Sequence, residues 1–208
     1  TPRVEAIGVP LPTSMSNEAL RFLEKDLEDR AKRQKERKEQ ADRLKELGNQ
    51  CFKQGEMESA LKHYSQAIES CKGDKSLYSN RALVNIKLER YEDAIKDCNT
   101  ALQIFELLEE KNPNKGGVLI SKVYLRRAIA RKEKVIALSH NNEAKSTCDD
   151  LKSQKDEFES VRADLDCALE YKRADAECTA EKTSVAGLID ELQSRIDSIK
   201  ESDPRVVQ

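Results

Sequence analysis

The chain has 208 residues, and its 37 Lys and Arg against 39 Asp and Glu leave a net charge of −2, so no global attraction to nucleic acid is expected. Charged residues make up 37% and aromatic residues 4%, which suits a helical, well-solvated protein of one domain with extensions. No apolar run approaches a membrane span and nothing reads as a signal peptide, so a cytoplasmic location is the expectation, with no membrane partner.

Residues 1–15 carry three prolines and read as a flexible arm. Ser16 has the chemistry of an N-cap for a charged helix over residues 16–40 that runs into the next segment, supported by the pairs Glu28 with Lys32, Asp29 with Arg33 and Glu39 with Arg43. Its run Arg30, Lys32, Arg33, Lys35, Arg37, Lys38 is either a nucleic-acid or import patch or a solvated helix face. Flanking acids and the lack of interleaved aromatics favour the solvated face.

Residues 41–170 contain a repeat. Leu44, Leu47, Gly48, Ala60, Tyr64 and Ala67 recur thirty-four residues on as Tyr78, Arg81, Ala82, Ala94, Cys98 and Ala101. Small residues at Gly48 and Ala82 would let the first helix of each pair approach Ala60 or Ala94 on the second. A third unit begins with Tyr124, Arg127 and Ala128. Its second helix is displaced: the run Tyr91, Ala94, Asp97, Ala101, Leu102 recurs as Phe158, Val161, Asp164, Ala168, Leu169. Ala82 and Ala94 are 12 apart whereas Ala128 and Val161 are 33 apart, so about 21 residues interrupt this unit, at about 133–157.

Residues 139–142, Ser-His-Asn-Asn, predict a turn with helix resuming near Glu143, so the insertion would project as an antiparallel hairpin. A loop through Asn112, Pro113, Asn114, Gly116 and Gly117 precedes the third unit. Residues 171–208 hold the apolar stripe Val185, Leu188, Ile189, Leu192, Ile196 and Ile199, which predicts a capping helix and tail, with helix-mediated self-association as the alternative.

The six cysteines show no C-x-x-C spacing, so neither zinc nor a redox dithiol is expected; Cys51 and Cys98 fall at packing positions. His63 and His140 have no nucleophile at recognisable spacing. No catalytic residues, no metal and no cofactor are expected, and the chain reads as a non-enzyme. Five hydrogen-bond donors instead stand out. Lys45 and Asn49 share one face of the first helix, Asn80 lies on the third, and Lys122 and Arg126 share a face of the fifth. Stacking the units would line all five along one groove, three cations and two amides with no acid among them, a cluster suited to carboxylates.

The thirty-four-residue pattern resembles the tetratricopeptide repeat (TPR). The resemblance implies an all-α solenoid of three helix pairs, the third with a long helical insertion, flanked by the N-terminal charged helix and the C-terminal capping helix. Lys45, Asn49, Asn80, Lys122 and Arg126 resemble the dicarboxylate clamp of TPR co-chaperones, which implies binding of the C-terminal Glu-Glu-Val-Asp tail of heat shock proteins 70 and 90. The run Glu24, Lys25, Asp26, Glu28, Arg30, Ala31, Lys32, Arg33, leading into Ala41, Asp42, Leu44, Lys45, Gly48 and Asn49, is similar to cytoplasmic assembly factors for axonemal dynein arms. So are the loop after repeat two and the run Tyr124, Arg126, Arg127. These imply a chaperone-linked assembly role with dynein subunits as possible clients. A scaffold protein that binds a folded partner through its insertion or C-terminal helix is the competing reading.

Overall fold

The computed structural model describes residues 17–109, 117–142, 147–171 and 175–202. Within them the chain forms seven α-helices and no strand: α1 (Asn17–Lys53), α2 (Met57–Ser70), α3 (Lys75–Lys87), α4 (Tyr91–Glu109), α5 (Gly117–Asn142), α6 (Cys148–Tyr171) and α7 (Ala176–Ser202). The arm, Ser16, and the loop residues Asn112, Pro113, Asn114 and Gly116 lie outside the described residues. No described helix is long and apolar enough to cross a membrane.

The helices pair in chain order, α1 with α2, α3 with α4 and α5 with α6, and each pair stacks on the next. The reversals inside the first two pairs are built alike. Gly55 (φ 83°) and Glu89 (φ 58°), thirty-four residues apart, take the left-handed conformation that ends a helix. The following amides, Glu56 N and Arg90 N, each donate to a carbonyl five residues back, Cys51 O and Asn85 O, at 2.9 Å. Glycine takes this backbone freely at the first site, whereas Glu89 takes it against the clash of its own Cβ.

A bridge repeats with the same register. Arg81 of α3 grips Asp97 of α4 through two bonds of 2.9 and 2.6 Å and also donates to Ser65 of α2 at 3.2 Å. Arg127 of α5 does the same with Asp164 of α6, at 2.9 and 2.5 Å, and donates to Asn99 of α4 at 2.8 Å. Each arginine thus ties the second helix of its own pair to the second helix of the pair before. In the first pair, which has no preceding neighbour, the equivalent positions hold Leu47 and His63.

Ala41, Ala67, Leu77, Ala82, Ala94, Cys98 and Ala101 make the core of the first two pairs, into which Ile120 and Val123 of α5 reach. A second core joins α5, α6 and α7 through Leu125, Ala128, Leu165, Ala168, Val185, Ile189, Leu192 and Ile196. Tyr124 packs against both. Leu188 and Ile199 complete the α7 stripe as partly buried neighbours of the second core.

The predicted turn at residues 139–142 is corrected, because α5 continues to Asn142. Ser139 Oγ donates back to Ile136 O at 2.8 Å, satisfying its hydroxyl inside the helix. Glu143, near which helix is expected to resume, lies outside the described residues, and α6 is the next helix among them. It begins at Cys148 behind a reciprocal cap: Asp150 N donates to Thr147 Oγ1 at 3.2 Å, while Thr147 N donates to Asp150 Oδ2 at 2.9 Å. Buried Val135 of α5 and Leu151 of α6 belong to one core cluster and hold the lengthened helices together.

Candidate functional site

The first helices of the pairs, α1, α3 and α5, supply all five predicted donors. Asn49 and Asn80 meet: Asn80 Nδ2 lies 3.5 Å from Asn49 Oδ1. That oxygen also accepts from Tyr64 Oη at 2.7 Å, which fixes the amide so that Nδ2 points the other way, toward Glu46 Oε2 at 3.2 Å. Tyr64 can reach Asn49 because α1 and α2 approach closely at Gly48. A Cβ there would sit 2.7 Å from the Tyr64 ring, so the glycine makes room for a tyrosine.

Arg126 reaches the same place from α5. Its Nη1 donates to both Ser79 O and Ser79 Oγ at 2.6 Å, at the residue beside Asn80. Among the described residues no carboxylate pairs with it, and burial pulls its guanidinium below the usual arginine range. The positive charge is felt at Tyr64, whose hydroxyl burial nonetheless pushes up. A desolvated cation with only neutral acceptors gains most from an anion that brings its own charge.

Lys45 and Lys122 each lie one helical turn before Asn49 and Arg126. Lys122 is exposed. Lys45 is half-buried and already occupied: its Nζ donates to Asp42 Oδ1 at 2.7 Å and to Asp74 Oδ2 at 3.5 Å. Burial would lower this ammonium, but the two carboxylates outweigh burial and raise it. The expectation of a donor cluster clear of acids is therefore corrected at Lys45 and at Asn49, whose amide donates to Glu46. The structure thus gathers Asn49, Asn80 and Arg126 around Tyr64 and Ser79, with the two lysines a turn below.

Five residues of this arrangement went unread in the sequence, Glu46 beside Asn49 among them. Tyr64 and Ser79 lie at repeat and helix positions that carry no charge signal, and Asp74 comes close only because the tertiary fold brings the N-cap of α3 to Lys45. Asp42 was legible, being three residues from Lys45 on one helix. No group of three or more His, Cys, Asp or Glu side chains suited to a metal occurs among the described residues.

Comparison with known proteins matches this architecture. The structure superposes on the first TPR of Spaghetti (RPAP3) bound to HSP90 peptide SRMEEVD with a TM-score of 0.54 and 25% identity, over 74% of this chain and 95% of that one. The chain carries a TPR domain. Its sequence is 48% identical over 87 residues to human tetratricopeptide repeat protein 12, covering 42% of this chain and 12% of that protein. It is 43% identical over 67 residues to a Plasmodium falciparum Hsp70-Hsp90 organising protein, covering 32% of this chain and 27% of that one. The TPR chain therefore spans only a small part of these relatives. No family model matches it.

Proposed function

We propose that this TPR domain binds the free C-terminal acidic tail of a heat shock protein 90 or 70 partner, without catalysis, through Lys45, Asn49, Asn80, Lys122 and Arg126. The observation that carries this is Arg126, desolvated, bonded among the described residues to Ser79 oxygens alone and set beside paired asparagine amides. One ligand carboxylate would take the guanidinium and the amides, and a second the lysines one turn below. The solved TPR complex with an HSP90 peptide ending in two acids, valine and aspartate supports the choice of ligand. Likeness to tetratricopeptide repeat protein 12, together with the sequence features shared with dynein-arm assembly factors, supports a setting in chaperone-linked assembly of large cytoplasmic complexes, with dynein subunits among the clients.

Calorimetric titration with the peptide SRMEEVD tests the proposal. The free-acid peptide binds, binding weakens with added salt, and C-terminal amidation or Lys122→Ala abolishes it. Equal affinity for the amidated peptide refutes it. One observation favours a second surface: the lengthened α5 and α6 leave a cavity of ≈ 380 Å³ lined by Ile95, Val135, Leu138 and Glu157, with Leu138 exposed. A folded partner docked there would survive Lys45→Ala with Arg126→Ala and be lost on deletion of residues 133–157.

A further inference from the structure

Lys45 differs from Arg126 in what a ligand must do to reach it. The Lys45 ammonium sits between Asp42 Oδ1, at 2.7 Å, and Asp74 Oδ2, at 3.5 Å. The two acids come from separate elements and are held separately. Asp42 is on α1, three residues before the lysine. Asp74 is the N-cap of α3, where its Oδ1 accepts from Ser76 N at 2.9 Å and Ser76 Oγ at 2.6 Å. That cap fixes the carboxylate whether or not Lys45 is present and leaves Oδ2 facing the groove.

A carboxylate arriving at Arg126 meets a guanidinium that donates to Ser79 oxygens and has no ion pair among the described residues, with Glu177 acting on it only through space. One arriving at Lys45 only exchanges with anions already there, and it meets their repulsion as it approaches. We propose that Asp42 and Asp74 set the affinity of the clamp: they hold Lys45 in the empty groove, the incoming tail must displace them, and the ligand is anchored mainly from α5. This rests on the carboxylate-clamp reading and gives it an internal competitor.

The test is a double-mutant cycle read by fluorescence anisotropy with labelled free-acid SRMEEVD. Asp42→Asn with Asp74→Asn is made in the wild-type and Lys45→Ala backgrounds, and Asp93→Asn, which removes a single acid at an exposed position of α4, is the control. Asparagine caps a helix as well as aspartate, and far-UV circular dichroism verifies that the fold is kept. The acid-to-amide variant binds roughly three- to ten-fold tighter than wild type, the range set by losing two partly exposed competing ion pairs. The gain disappears without Lys45, and Asp93→Asn changes nothing. Unchanged affinity, a gain that persists in Lys45→Ala, or an equal gain from Asp93→Asn overturns this inference while leaving the clamp standing. Failure of every variant to bind overturns both.

Discussion

Gly48→Ala sets two effects of opposite sign against each other at the point where fold and site meet. In an exposed helix the exchange would stabilise by about 1 kcal/mol, the difference in helix propensity. Here the new methyl would lie 2.7, 2.9 and 3.0 Å from Cε1, Cδ1 and Cζ of Tyr64. One whole ring edge is struck, so no small rotation relieves it. Tyr64 is 2% exposed and its hydroxyl is tied to Asn49, leaving the ring little room to retreat. Overpacking of this kind costs about 1–3 kcal/mol, so the net expectation is a loss of about 0–2 kcal/mol. Urea unfolding followed by circular dichroism measures it. A ring that shifts also drags Asn49, so affinity for the acidic peptide falls as well. In a Tyr64→Leu background, with the ring gone, Gly48→Ala becomes neutral or stabilising. A stabilised Gly48→Ala protein with Tyr64 intact would refute the close approach of α1 and α2.

The two arginine bridges should respond unequally. Arg81→Ala leaves buried Asp97 with the Asn85 amide, at 3.1 Å, as its one remaining side-chain partner among the described residues and costs about 3–4 kcal/mol, whereas Arg127→Ala leaves Asp164 still paired with Arg131 at 3.0 Å and costs less, in urea unfolding of the two variants. The cap of α6 gives a pH dependence. Bonds from Thr147 N and Oγ1 hold Asp150 below the ordinary aspartate value of 3.8, so its contribution is full above that value and is lost as pH falls through the lower folded one. Asp150→Ala therefore loses less stability than wild type between about pH 5 and about pH 2, and an equal loss would deny the cap. Burial pushes the Cys98 thiol up to about 12 and shields it completely, so a thiol reagent at mild alkaline pH labels the half-buried Cys51 and Cys71 first, as mass spectrometry of the peptides will show.

The repeat was legible because stacking leaves small residues no freedom: Ala60 and Ala94, like Ala67 and Ala101, are all fully buried. The displaced third pair was legible for the same reason, since Asp97 and Asp164 mark one position and receive matching arginines. The turn expected at residues 139–142 is helix instead because, although Ser and Asn favour turns locally, packing of Val135 on α6 outweighs that preference, and the pattern that does mark the start of α6 is the Thr147 to Asp150 cap. The donors of the groove showed in their i, i+4 spacing. Their partners did not, because Tyr64, Ser79 and Asp74 are brought to them by contacts between helices 15 to 47 residues apart in sequence.

The claim on which the function turns is that α1, α3 and α5 present one anion pocket. Two-dimensional 1H–15N NMR during titration with free-acid SRMEEVD addresses it directly, through the side-chain amides of Asn49 and Asn80 and the Nε–H of Arg126. A clamp predicts that all three signals move together along one saturable isotherm and stay still with the amidated peptide. Shifts confined to the far ends of α5 and α6, or to α7, with these three signals unmoved, would contradict it.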